Sequence, residues 1–258
     1  MRKFHSIAII LSMATYRIED TDLTPDEENR GFGGSDTDIS KYPFVAGLIL
    51  ERTDDEPICG GTLVAPLFVM TSAYCIEPFT RRAQKAEKIR VVEFFEHPEL
   101  NNGKDVALLK LEKPSTRKPA PLADINRSDE KCGTMAAAAA GWGYTKEHAV
   151  PDTLQVVDVK IILDNECVKY SVNTDVTLCA GTEHGEGVCY GDYGSPLIAN
   201  GAVVGIASNV SLSDVSCGDQ PELYIRVSEI RDFVTDVVNG GSTANVTDDH
   251  ATRYVLAP

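Results

Sequence analysis

The chain has 258 residues, of which 43% are hydrophobic and 24% charged, a balance that supports a full hydrophobic core and excludes a disordered tail, a collagen and a coiled coil. Its formal charge is −15 and its Lys and Arg residues form no long run, which argues against nucleic acid and polybasic membrane attachment as partners. Proteins or neutral polymers remain, and 20 Gly with 13 Pro point to many short strands joined by tight turns.

The chain opens MRKFHSIAIILSMA. Arg2 and Lys3 precede an apolar stretch, Ile7 to Ala14, that closes on a small residue. This is the order of a secretory signal peptide over 1–14, and the stretch is too short to span a bilayer. Seven cysteines and three sequons, at Asn126, Asn209 and Asn245, suit an oxidising export route to the extracellular space. Residues 15–30 are acidic, nearly without apolar side chains, and end on Arg30; they read as a pro-segment or linker.

From Tyr42 onward, short β-branched runs alternate with turn residues: FVAGLIL, TLVAPLFVMTSA, KIRVVEFF, DVALLKL, LQVVDVKIIL, AVVGIAS and LYIRVS. Each is predicted to be a strand. The proline-rich stretch 114–128 divides them into unequal halves and is the natural crossover between two small β-barrels. Beyond Glu229, Ile230, Phe233, Val234, Val237 and Val238 recur at helical spacing behind Ser228, a candidate N-cap, and Asn239-Gly240-Gly241 ends the helix. Residues 239–258 are polar and uneven, and are expected to form a mobile tail.

Several segments follow one another in an informative order: YPFVAGL, CGGTLVAPLFVMTSAYC, KDVALLKL, AGWGYT, LCAG and CYGDYGSPL. From about Gly31 to Val238 the chain resembles the chymotrypsin/trypsin family of serine proteases. The resemblance implies an all-β fold of two antiparallel six-stranded Greek-key barrels over 31–238, with a C-terminal helix and a cleft between the barrels.

Chemistry in that family needs a serine, a histidine that takes its proton, and an aspartate that orients the imidazole. The T-A-A-H-C histidine falls on Tyr74, in Thr71-Ser72-Ala73-Tyr74-Cys75. The D-I-A-L-L-K-L aspartate is kept as Asp105, whereas the G-D-S-G-G-P serine falls on Tyr193, in Gly191-Asp192-Tyr193-Gly194-Ser195-Pro196. A phenol of ordinary pKa near 10 is protonated at neutral pH and makes a poor base. Ser195 lies two residues beyond the nucleophile position. His97, His148 and His184 have no motif support as bases, while His5 and His250 sit near the two ends of the chain. The expected partner of the orphaned Asp105 carboxylate is the Tyr74 hydroxyl, and Tyr193 is expected to project over the reaction centre.

Further positions carry over from the resemblance. The oxyanion-hole positions are Gly191 and Tyr193, and the specificity-pocket position is Gly187, so no acid selects Lys or Arg there. The terminal amine that pairs with the aspartate before the serine maps to Gly31, after Arg30, with Asp192 as its partner. Only 31 residues separate Tyr74 from Asp105 (105 − 74), where the family has over forty; the first barrel is therefore expected to be shortened, and no calcium loop, metal or other cofactor is implied. The family pattern pairs Cys59 with Cys75, Cys167 with Cys179, and Cys189 with Cys217, leaving Cys132 alone.

The leading expectation is a secreted pseudoprotease that binds another protein. The glucanase-inhibitor proteins of oomycete plant pathogens, which bind and inhibit host endo-β-1,3-glucanases, look similar in their acidity, disulfides and altered triad positions. The alternatives are an active serine endopeptidase with an atypical site, and a carbohydrate-binding role in which Trp142 is the one aromatic residue to consider.

Overall fold

The computed structural model describes residues 34–50, 59–76, 87–123, 135–145, 149–181, 187–208, 217, 220–241, 245–246 and 253–257. Segments 1–14 and 15–30 lie outside the described residues, as do Gly31, Asn126, Cys132, His148, His184, Asn209 and His250. In chain order the strands are β1 (Ser35–Asp36), β2 (Val45–Leu50), β3 (Cys59–Ala65), β4 (Phe68–Thr71), β5 (Glu87–Glu96), β6 (Ala107–Leu111) and β7 (Met135–Gly141). They continue with β8 (Gln155–Ile162), β9 (Thr177–Gly181), β10 (Pro196–Ala199), β11 (Ala202–Ala207), β12 (Glu222–Arg226), β13 (Asn245–Val246) and β14 (Arg253–Ala257). A short helix, α1 (Asp164–Cys167), precedes β9, and α2 (Val227–Val238) follows β12.

The strands form two antiparallel rings. One runs β2–β3–β4–β6–β5–β14 and closes on β2. The other runs β7–β8–β9–β12–β11–β10 and closes on β7, with β1 added outside β8. The two-barrel expectation holds. The interior of each barrel follows from alternation: in β8, Gln155, Val157, Val159 and Ile161 are buried while Asp158 and Lys160 are exposed.

Four expectations need correction. The run TLVAPLFVMTSA is two strands rather than one, because Pro66 cannot donate a ladder hydrogen bond and a turn at Pro66–Leu67 separates β3 from β4. The alanines of β7 were not among the predicted strands, since Ala favours helix. They form a strand because β7 lies between β8 and β10, where small buried side chains fit. Ser228 is not the N-cap of α2: the cap is Arg226, the helix begins at Val227, and the Ser228 hydroxyl has no hydrogen-bond partner among the described residues. Finally, residues 239–258 are not simply a tail, because β13 pairs with β5 and β14 lies between β2 and β5.

Helix α2 buries Val227, Ile230, Phe233, Val234 and Val237, and packs against β11 and β12. The three expected disulfides are present: Cys59–Cys75, Cys167–Cys179 and Cys189–Cys217. Each closes a loop that the unfolded chain would otherwise explore, worth about 2–4 kcal/mol. Among the described residues no helix is long and apolar enough to cross a membrane, and no group of His, Cys, Asp or Glu is arranged to hold a metal ion.

Candidate functional site

The site is built where connections from the two barrels meet. The first barrel supplies Ser72–Ile76, after β4, and Lys104–Val106, before β6; the second supplies Tyr190–Ser195, before β10, and Ser208, after β11. Asp105 lies at the junction and is 6% exposed. Its Oδ2 accepts hydrogen bonds from the hydroxyls of Ser72 and Ser208, both at 2.6 Å, and its Oδ1 accepts from the backbone N–H of Tyr74 at 3.0 Å.

The expected Tyr74 hydroxyl is therefore not what satisfies this carboxylate. The backbone of Tyr74 does so instead, leaving its side chain 39% exposed. A buried carboxylate must find donors, and that requirement was the only signal in the sequence pointing to Ser72 and Ser208. Ser208 reaches Asp105 from the other barrel, so the pair also fastens the two barrels at the site.

Tyr193 fills the space in front of this junction. Its ring meets Tyr74 edge to face at a centroid separation of 5.7 Å and meets Tyr190 in the same manner at 6.4 Å; quadrupole electrostatics favour this geometry. Burial, reinforced by Tyr190, Glu222, Tyr74 and Asp192, pushes the Tyr193 phenol above its ordinary pKa. Its carbonyl accepts from Gly60 N–H at 2.7 Å. Tyr190, 52% exposed, extends the aromatic cluster to the surface. This cluster was not foreseen, because Tyr74 meets the 190–193 loop only when the barrels pack.

Ser195 is wholly buried and its hydroxyl has no hydrogen-bond partner among the described residues. Gly60 and Gly141 wall it in: a Cβ on Gly60 would lie 1.8 Å from Ser195 Oγ, and one on Gly141 would lie 2.9 Å away. No substrate reaches this oxygen without backbone movement. The turn itself depends on Gly194, whose φ is +89° and whose added Cβ would fall 2.2 Å from Thr71 Oγ1.

Asp192 lines a cavity of about 20 Å³ together with Gly34, Gly141, Gly143 and Gly187 among others. It accepts from Gly143 N–H at 2.7 Å and Cys189 N–H at 3.1 Å. No cation among the described residues pairs with it. Burial raises its carboxyl to about 6, against the opposing pull of those two N–H groups. Gly141 and Gly143 leave the room it needs, since a Cβ on either would fall within 2.2 Å of a carboxylate oxygen. Gly187 sits against Glu222, with Glu222 Cγ 3.1 Å from where its Cβ would be, so the acid in this region comes from β12. Sequence reasoning did not single out Glu222.

His97 is no base for the cluster. It is buried, its ring packs on Phe233 at 4.7 Å, and its Nδ1 accepts from Glu99 N–H at 3.0 Å. Burial, with Lys104 nearby, pulls the imidazole down to about 4. His97 and Asp192 therefore have opposite effects on stability. Between about pH 4 and 6.5 the unfolded chain protonates His97 and the native chain does not, so stability rises with pH. Between about pH 3.8 and 6 the native chain holds the Asp192 proton and the unfolded chain does not, so stability falls with pH. We predict that His97→Gln removes the first effect. The stability difference between wild type and variant, from urea melts, should increase by about 3 kcal/mol from pH 4 to 6.5; a constant difference would contradict it.

Two antiparallel barrels, a junction bridged by Asp105 and a C-terminal helix define a chymotrypsin-type scaffold. A family model described as trypsin matches residues 32–234, and the chain belongs to the trypsin family. It is 32% identical to glucanase inhibitor protein 2 of Phytophthora infestans, over 81% of this chain and 89% of that protein. It is 31% identical to a trypsin of Saccharopolyspora erythraea, over 81% of this chain and 99% of that protein. Among solved structures, mouse neuropsin, a serine protease, superposes with a TM-score of 0.66 at 24% identity, covering 80% of this chain and 99% of its own.

Proposed function

We propose that this protein is a secreted, non-proteolytic member of the trypsin family that binds and inhibits an extracellular protein, with an endo-β-1,3-glucanase of a host as the target. The observation that carries the reading is the packing of Tyr74, Tyr193 and Tyr190 in front of Asp105. Tyr74 and Tyr193 stand at the positions the resemblance assigns to base and nucleophile. Neither phenol suits the chemistry: Tyr193 is held above its ordinary pKa by burial, and a neutral phenol is a weak base and a weak nucleophile. On the same reading Gly191 and Tyr193 are vestiges of an oxyanion hole, Gly187 of a specificity pocket, and Gly31 with Asp192 of an activation pairing.

What remains is a rigid, disulfide-held surface with partly exposed tyrosines at its centre, the kind of side chain that dominates protein interfaces. Relatives named glucanase inhibitor proteins, at 32% identity, support the choice of target. Secretion rests on the sequence of 1–14 together with the disulfides, and Asn245 together with Asn126 and Asn209 would carry the glycans.

The test is inhibition. Purified protein titrated into an endo-β-1,3-glucanase acting on a soluble β-1,3-glucan should lower hydrolysis to a stoichiometric end point without cleaving the glucanase. Tyr193→Ala should weaken that inhibition by at least about 30-fold, the loss of one central aromatic anchor. Unchanged glucan hydrolysis would eliminate this target, and equal potency of the variant would remove the tyrosine cluster from the interface.

A further inference from the structure

The two barrels share one winding plan. Along the chain, the strands of the second barrel are β7 to β12, and around its ring they run first, second, third, sixth, fifth, fourth, with the fourth, β10, closing on the first, β7. In the first barrel, β2, β3 and β4 take the first three places and β5 and β6 the fifth and sixth. The fourth place, between β2 and β5, is held by β14 from the C-terminus of the chain.

This placement is extensive. Arg253 to Leu256 pair with Leu50 to Gly47 on one side, and Arg253 to Ala257 pair with Val91 to Glu87 on the other. Further along β5, Asn245 and Val246 pair with Glu96 and Phe95, whose other edge is already taken by β6. β13 and β14 thus both pair with β5 on the edge that β6 leaves open. No hairpin joins β14 to either neighbour, since it comes after α2 in sequence. Its departure would leave rows of unpaired N–H and C=O groups on β2 and β5, a template that an extended peptide satisfies through main-chain bonds.

We propose that the gap between β2 and β5 is a strand-acceptor site whose occupant is β14, bound in cis in the folded chain and able to bind in trans from any chain that carries it, a second copy included. Occupancy reaches the candidate site through β5, which leads into His97, whose N–H bonds Val106 O beside Asp105.

The experiment begins with the full chain, carrying a specific protease sequence placed within 247–252, folded intact and then nicked. A fluorescent peptide of residues 245–258 should enter the nicked protein saturably at one per chain and displace the resident fragment. The same peptide with Val255→Pro should bind at least tenfold more weakly, because the N–H of residue 255 points to β2 or to β5 and proline removes it. In the uncut full chain, Val255→Pro should speed amide exchange in β2 and β5 but not in β8 or β9. No uptake of the labelled peptide, equal uptake of the proline peptide, or unchanged exchange in β2 and β5 would each overturn the proposal.

Discussion

Restoring histidine and serine together, Tyr74→His with Tyr193→Ser, is expected to leave peptide hydrolysis far below that of a working trypsin-family enzyme, with at most weak hydrolysis of activated esters. The two side chains are necessary, since triad members act as a unit worth about 10⁶ in rate. Asp105 is ready for them: it is buried, correctly paired and bonded to the backbone of residue 74. On the proposed reading the oxyanion hole is not, and such a hole contributes roughly another 10²–10³. The resemblance implies that the hole forms when a new terminal ammonium pairs with the aspartate before the serine. Here that ammonium would belong to glycine, which has no side chain to anchor it, while Asp192 holds two backbone N–H groups and its carboxyl is raised to about 6. The double variant, cleaved after Arg30, should therefore label slowly with a fluorophosphonate. Rapid, stoichiometric labelling with efficient peptide cleavage would show that only two side chains separate this chain from an enzyme.

The largest single loss of stability is expected outside this cluster, at Arg226. Its guanidinium is 2% exposed, pairs with Asp164 at the start of α1, and donates to Thr174 O at 3.0 Å. Arg226 is buried while the Asp164 side chain is 31% exposed, so Arg226→Met should cost about 3 kcal/mol, the low end of the range for breaking a buried ion pair. Replacing both, Arg226→Met with Asp164→Leu, should recover much of that loss, because an apolar pair carries no desolvation penalty. Urea denaturation of the three proteins reads both effects; a single variant within about 1 kcal/mol of wild type would show that the pair is dispensable.

These two residues illustrate what could and could not be read in advance. The LYIRVS run shows that Arg226 lies at the end of a strand, but its acid, 62 residues earlier, is invisible to local pattern. Asp105, Tyr74 and Tyr193 were identifiable because each sits inside a short motif with fixed spacing. Their surroundings were not, because Ser208 reaches Asp105 only through barrel packing. Period-two alternation exposed β8 and the other long strands, whereas an alanine run such as β7 carries no strand signal of its own. β14 went unread for a different reason. A short apolar run after a polar stretch looks like a frayed end unless something shows that a place in a sheet is open, and only the ring of pairings shows that.

The most direct test of the account is made on the unaltered protein. After cleavage behind Arg30, it is titrated with a fluorophosphonate and incubated with a broad library of peptides at neutral pH. No covalent labelling is expected at Ser195 or at any other residue of the cleft, and no peptide cleavage above buffer. Stoichiometric labelling accompanied by cleavage would contradict it and restore the reading of an active endopeptidase.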